Sequence, residues 1–289
     1  MTVYLILGAT GLLGSKLKQS IPKSYGTYFE NLPTNSHDFY YFDGQNYQSF
    51  VEILEVVKPE VVINCIGFTD VDQCENFPEK SWQINSLLPY RLSKICGTHA
   101  IKFIQISTDH FLNLNESKIK ETESVIPINQ YSLSKYFAEK LILFDSPSAL
   151  IIRTNFFHFN LNEPRTFLDK LLADDFKNQV FHSFSDVVFT PISTTVLVQF
   201  ILELVKVNAK GLIHVSGTEE ISKFDFHQLA MQILKKPASN HFPITLEASS
   251  LIARRPKLMS LENYKARELT GLNVPSIYDM LYQEIEVAD

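Results

Sequence analysis

Cysteine is scarce in this 289-residue sequence: three residues, Cys65, Cys74 and Cys96, with no close pair among them. Such a set cannot all pair internally, which fits a reducing compartment better than a disulfide scaffold. Basic charge is not in excess either. Lys and Arg number 26 against 32 Asp and Glu, a formal charge of −6, whereas nucleic acid would require a basic face. Long apolar runs are missing, since the opening VYLILGATGLLG falls short of the ~20 residues that span a bilayer, and no basic segment precedes it. The eight histidines form no H-x-x-x-H or H-E-x-x-H pattern, so no metal site is expected. Heptads and internal repeats are absent, so the oligomeric state is open, a homodimer being one option. With 45% apolar and 20% charged residues, disordered, collagen-like and coiled-coil chains are excluded. A cytoplasmic globular protein that touches neither membrane nor nucleic acid is expected.

The length suits one large domain or two unequal ones. VYLILG, from Val3 to Gly8, predicts a buried strand, and LLGSKLKQS a helix. YGTYF and FYYFD predict short strands, and SFVEILEVV has helical spacing. Pro59 introduces EVVINCIG, another buried strand. One helix is expected from about Glu79 to His99, followed by the strand IKFIQIST, the helix YSLSKYFAEKLILF and the strand ALIIRTNF. Strands separated by amphipathic helices imply βαβ units, and hence an α/β fold with a doubly wound parallel sheet. Past Phe156 the rhythm loosens. NLNEPR reads as a loop and TFLDKLLADDF as a helix, with Asp174 and Asp175 at a solvated end. ISTTVLVQFILELV predicts a helix, GLIHVSG a strand, and SKFDFHQLAMQIL a helix that Ser222 caps. The expected division is a sheet domain of residues 1–155, rejoined by about 191–215, and a smaller, partly interleaved lobe of 156–190 and 216–289.

Gly8, Gly11 and Gly14 form G-x-x-G-x-x-G where the first strand meets the first helix. A dinucleotide pyrophosphate needs a tight turn, close backbone approach and a helix N-terminus whose N–H groups face the anion. A Cβ at these places would block either the turn or the phosphate. At the end of the second strand stands Tyr28, with Glu30 just beyond, so the choice between NADPH and NADH stays open. Tyr131 and Lys135, in YSLSK, are four apart at a helix start and share a face. A nearby ammonium favours phenolate, drawing a tyrosine that ionises near ~10 towards acid–base use. Ser107 to Asp109 end a strand, where α/β sheets bind ligands, and a hydroxyl there would hold a carbonyl oxygen beside the tyrosine. Cys65, by contrast, reads as core rather than nucleophile. Glycine loop, strand-end hydroxyl and Tyr/Lys pair occur in the order of a short-chain dehydrogenase/reductase.

From GATGLLG through VVINCIGFTDVDQCE, ISTDHF, YSLSKYFAEK, IIRTNFF and GLIHVSG to ARRPKLMSL, the chain resembles the dTDP-4-dehydrorhamnose reductase family of extended short-chain dehydrogenases. The VD…CE stretch and the late R-P are its more specific parts. The resemblance implies a Rossmann-type fold whose C-terminal lobe binds substrate. The implied reaction is NADPH- or NADH-dependent reduction of the 4-keto group of a nucleotide-linked 6-deoxyhexose, on the way to deoxysugar precursors of surface polysaccharide. Thr108, Tyr131 and Lys135 are the implied catalytic residues: Tyr131 gives the proton, Thr108 bonds the carbonyl oxygen, and Lys135 tunes Tyr131 and anchors ribose. Cofactor contacts are implied at Gly8, Thr10, Gly11, Leu12, Leu13 and Gly14, at Asp43, Gly44, Gly67 and Thr69, and at Ser107, Tyr131 and Lys135. Substrate contacts are implied at Val71, Thr108, Asp109, His110, Phe156 and Arg255.

Three departures fall in the sugar pocket. The family usually reads T-D-Y-V-F-x-G after the strand, whereas TDHFLNLN puts His110 in the place of a tyrosine. Phe156 replaces a tryptophan and loses its N–H donor, and Leu258 or Met259 stands where an asparagine follows R-P. Two other readings share the fold: a non-catalytic dinucleotide-binding subunit like the methionine adenosyltransferase β subunit, and a sugar-nucleotide epimerase or dehydratase.

Overall fold

The computed structural model describes residues 1–30, 37–112, 118–159, 168–169, 180–236 and 239–288. The expected loop NLNEPR and most of TFLDKLLADDF, with Asp174 and Asp175, lie outside the described residues. The chain begins β1 (Tyr4–Leu7), α1 (Leu12–Ser20), β2 (Ser24–Tyr28), β3 (Phe39–Tyr41), α2 (Tyr47–Val57) and β4 (Val61–Asn64). It continues with α3 (Val71–Asn76), α4 (Pro78–Trp82), α5 (Leu88–Thr98), β5 (Lys102–Ile106), α6 (Gln130–Asp145), β6 (Leu150–Arg153) and β7 (Phe156–Phe157). Then come β8 (Phe181–Phe184), β9 (Val188–Phe189), β10 (Ile192–Ser193), α7 (Thr194–Lys206), β11 (Gly211–His214) and β12 (Ile221–Ser222). The chain closes with α8 (Lys223–Ile233), β13 (His241–Ile244), α9 (Tyr264–Thr270) and α10 (Ile277–Ala288).

Seven strands form the main sheet in the order β11-β6-β5-β4-β1-β2-β3. Leu5 on β1 pairs in parallel with Tyr25 on β2 and Val62 on β4, so the strand order reverses around β1. Helices cover both faces, which is why YLIL, VVIN and LIIR are buried throughout and carry almost no alternation of polar residues. On one face, α2 buries Phe50, Ile53, Leu54 and Val57 against a core that includes Leu5, Leu7, Val62, Leu92 and Phe103.

The helix expected from Glu79 to His99 is interrupted. Gln83–Leu87 form a π-turn in which the Leu88 N–H reaches the Gln83 carbonyl, five residues back. Pro89 is the physical reason, because it brings no N–H to continue the ladder to Asn85. The start of α6 is fixed by a capping box, in which Asn129 accepts from the Ser132 N–H and the Ser132 hydroxyl accepts from the Asn129 N–H.

The chain divides into two compact units. One comprises Met1–Thr108, Pro127–Arg153 and Val205–Ile213; the other comprises Asp109–Ile126, Thr154–Leu204 and His214–Asp289. The second is built from short strand pairs, β7 with β10, β9 with β12 and β8 with β13. Phe226 on α8 joins two of these pairs, edge-on to Phe157 at 5.2 Å and to Phe189 at 5.4 Å. Ser222 caps α8 by accepting from the Asp225 N–H.

Candidate active site

The glycine loop sits at the end of β1, where the sheet order reverses. Gly8 has φ +74°, open to glycine at no steric cost. A Cβ on Gly14 would lie 2.1 Å from the Gly8 carbonyl oxygen and 2.9 Å from the Ala9 Cα, so α1 approaches the strand only because residue 14 has none. Gly11 differs. A Cβ there would meet only the Gly8 oxygen, at 3.4 Å, and its φ of −81° suits any residue. Nothing within the loop requires residue 11 to be glycine; a ligand drawn onto the backbone would. Gly11 caps α1 without a side-chain hydrogen bond, and no acidic residue occupies the first turn. Leu13 is buried in the core, while Thr10 and Leu12 are half-buried around the helix start. Behind the loop, the Thr27 hydroxyl on β2 accepts from the Gly8 N–H at 3.1 Å.

Tyr131 and Lys135 both lie on the buried face of α6. The Lys135 Nζ donates to the Ile106 carbonyl at 2.7 Å, two residues before Thr108 at the end of β5. Burial pushes this ammonium down to about 8, against the opposing pull of Glu139. The Ser107 hydroxyl donates to Glu139 Oε1 at 2.6 Å. Arg153, closing β6, holds the same carboxylate with both ends of its fork, Nε to Oε1 at 2.9 Å and Nη2 to Oε2 at 2.6 Å. Glu139 and Arg153 are not among the residues expected for the site, although both carried a signal. Glu139 is one helical turn after Lys135, and Arg153 is a lone charge closing the apolar run LIIR, which demands a partner. Cys65, expected in the strand, lies one residue beyond it, and burial pushes its thiol up to about 12.

Gly67 and Thr69 are exposed on the loop after β4, and Val71 opens α3 half-buried. Asn85, in the π-turn, clamps this loop through both backbone groups of Phe68. Its Oδ1 accepts from the Phe68 N–H at 2.8 Å, and its Nδ2 donates to the Phe68 carbonyl at 2.9 Å. The same Nδ2 reaches the Ser134 hydroxyl on α6 at 3.2 Å, tying the loop to the Tyr131/Lys135 helix. Glu75, from the VD…CE stretch, accepts the Gln130 N–H at 2.8 Å at the start of that helix. Asp43 makes its own turn, accepting from the amides of Gln45 and Asn46, which hold its carboxyl below the usual range. Gly44 follows with φ +79°.

In the second unit, Asp109 is buried and accepts from Asn155 Nδ2 at 2.6 Å. Lys223 at the start of α8, which sequence reasoning missed, lies 3.3 Å from the Phe189 ring centroid. Burial pushes its ammonium down to about 8, opposed by Asp109. His110 is pushed down to about 3, first by burial and then by Arg255 and Lys223. The structure thus gathers Asp109, His110, Lys223 and Arg255 into one electrostatic group, with Phe156 half-buried on β7. His158 is engaged by Glu284 at 2.7 Å. Among the described residues, no cluster of His, Cys, Asp and Glu could hold a metal ion, and no helix is long and apolar enough to cross a membrane.

Strand order β3-β2-β1-β4-β5-β6, with a glycine loop at the reversal, is the Rossmann arrangement, and α6 carries its Tyr/Lys pair in the chain order of a short-chain dehydrogenase. Within that class, the family model described as RmlD substrate binding domain matches residues 1–287, and the chain belongs to this family. It is 27% identical to the probable low-salt glycan biosynthesis reductase Agl14 of Haloferax volcanii, over 96% of this chain and 95% of that protein. It is also 27% identical to a dTDP-4-dehydrorhamnose reductase of Aggregatibacter actinomycetemcomitans, over 94% of each. The fold superposes on the dTDP-4-dehydrorhamnose reductase of Bacillus anthracis, solved in complex with NADP, with a TM-score of 0.86 and 22% identity, covering 99% of both chains.

Proposed function

We propose that the protein reduces the 4-keto group of a nucleotide-linked 6-deoxyhexose, using NADPH or NADH, in the synthesis of a deoxysugar precursor. The observation that carries this reading is the buried face of α6, where Lys135 is fixed to the Ile106 carbonyl just before Thr108 and Tyr131 lies one turn away. Family membership and relatives named as reductases over nearly their whole length support it.

The glycine loop fits a dinucleotide, because Gly11 leaves open a place that a Cβ would fill and that the loop's own packing does not need. The first-turn N–H groups of α1 would hold the pyrophosphate, Gly67 and Thr69 would border the cofactor, and Lys135 would anchor a ribose. Hydride is what the reduced cofactor supplies when bound. As negative charge grows on the substrate oxygen, Thr108 donates a hydrogen bond to it and Tyr131 delivers the proton. Charged Lys135 stabilises the phenolate left on Tyr131. Val71, Asp109, His110, Phe156 and Arg255 are proposed substrate contacts. The NADP-bound relative favours the phosphorylated cofactor.

The test is oxidation of NADPH and of NADH at 340 nm, with and without dTDP-4-keto-6-deoxy-L-mannose and other 4-keto sugar nucleotides. Substrate-dependent oxidation is expected. Cofactor binding without turnover of any ketone would point to the regulatory-subunit reading instead. Tyr131→Phe should keep cofactor affinity within about twofold and lower kcat by ~10²–10⁴-fold, the usual weight of a general acid. Turnover at the wild-type rate would remove Tyr131 from its role.

A further inference from the structure

We propose that Glu139 is a positioning residue for this reaction: clamped between Arg153 and Ser107, it sets the strand end that carries Thr108 and keeps Lys135 charged. The inference rests on the catalytic roles proposed above. Glu139 joins three elements. It projects from α6, accepts the Ser107 hydroxyl from the end of β5, and takes the bidentate fork of Arg153 from β6. All three side chains are buried, with Glu139 at 1% and Arg153 at 2% exposure. A bidentate pair of this kind has a fixed geometry, so the position of Ser107, and with it the next residue Thr108, is set against the helix that carries Tyr131.

The second role is electrostatic. Lys135 lies one helical turn before Glu139 and donates to the Ile106 carbonyl, and a desolvated ammonium there is disfavoured unless an anion stands near. The groups around it single out Glu139. Cys65, after β4, is held as a neutral thiol. Glu75 on α3 is spent on the Gln130 N–H at the start of α6. Tyr90 and Lys94 on α5 meet Asp145 at its far end. Arg153 supports Glu139 in its ionised form but carries the sign that would discharge Lys135. Among the described groups, the Glu139 carboxylate is the foremost one that favours the ammonium.

Two variants separate charge from packing. Glu139→Gln keeps the shape but strands the Arg153 guanidinium, which endangers the fold. The double variant Glu139→Gln, Arg153→Met removes both charges while the Gln oxygen still accepts from Ser107. Lys135 is read directly in the free full-length protein by NMR of ¹³Cε-labelled lysine, its resonance assigned with Lys135→Arg. The expected result is a folded double variant in which Lys135 titrates at lower pH than in the wild type. In turnover, kcat should fall at every pH because the clamp behind Thr108 is broken, and roughly tenfold further at pH 8 than near pH 6.5, as a displaced titration requires. Ser107→Ala, which removes no charge, should leave the Lys135 titration in place. An unmoved Lys135 titration, a kcat loss equal at every pH, or a double variant that does not fold would each overturn the proposal. The NMR reading needs no substrate, so a wild type that reduces no 4-keto sugar leaves it interpretable and counts against the reaction alone.

Discussion

A histidine beside two cations, as His110 is beside Arg255 and Lys223, meets protonation under unfavourable conditions, and burial contributes the larger share. Its ring therefore stays neutral where an ordinary histidine titrates, near ~6.5. The sign for stability follows. As pH falls below ~6.5 the unfolded chain takes up this proton and the folded chain does not, so His110 draws stability down between ~6.5 and about 3 and adds no pH dependence above that range. The imidazole C–H resonances of His110, assigned with His110→Gln, should show no titration between pH 5 and 8. A midpoint near 6.5 would dismantle the charged group around Asp109. The position of His110 within TDHF marks it in the sequence as a departure from a tyrosine. Lys223 was not legible there, because a lysine opening a helix pattern looks like any solvated charge until the fold sets it on Phe189.

The strand–loop–helix element from β1 to α1 uses its glycines for different ends, and two substitutions distinguish them. Gly14→Ala forces a Cβ to 2.1 Å from a backbone oxygen, with no flexible side chain to give way. It should destabilise the protein by roughly 1–3 kcal/mol or more and open the loop. Gly11→Ala meets nothing closer than 3.4 Å, so stability should change by less than about 0.5 kcal/mol. Its cofactor affinity should nonetheless fall about tenfold or more, because the methyl occupies the approach of the pyrophosphate. Thermal melts together with NADPH titrations read both effects. Equal cofactor affinity in Gly11→Ala and wild type would place the dinucleotide elsewhere. This element was legible residue by residue, since strand, glycine spacing and helix are local in sequence. The π-turn at Gln83–Leu87 was not. Leu-rich helical spacing runs through it, and only the missing N–H of Pro89 marks the break that turns Asn85 towards the Phe68 backbone. Glu139 and Arg153 escaped for a related reason, because their pairing spans α6 and β6 and no spacing rule joins a helix to the strand after it.

At the scale of the molecule, each unit is assembled from three separate stretches of chain, so the parallel strands and helices of the first 153 residues are an incomplete set. The seventh strand, β11, comes from Gly211–His214 and lies beside β6, with the Gly211 N–H bonded to the Ala149 carbonyl at 2.8 Å. The second unit in turn draws on residues 109–126. The Leu112 N–H bonds the Ile126 carbonyl, the Ile119 N–H bonds the Ser260 carbonyl, and Glu121 accepts from the His214 N–H. A cut after Arg153 therefore leaves β6, an apolar LIIR strand, with an open row of unpaired N–H and C=O groups, the kind of edge that recruits another chain. Expressed alone, residues 1–153 should aggregate or bind a dye for exposed apolar surface. Co-expression with residues 154–289 should restore a soluble complex, because the missing strand is then supplied in trans. The measurement is size-exclusion chromatography of both preparations with near-ultraviolet circular dichroism. A soluble, natively packed fragment would show that β11 closes nothing the sheet needs, and that the glycine loop and the Tyr131/Lys135 helix form a self-sufficient module. Aggregation reversed by the second fragment would place the stability of the first unit in a strand encoded more than fifty residues beyond β6.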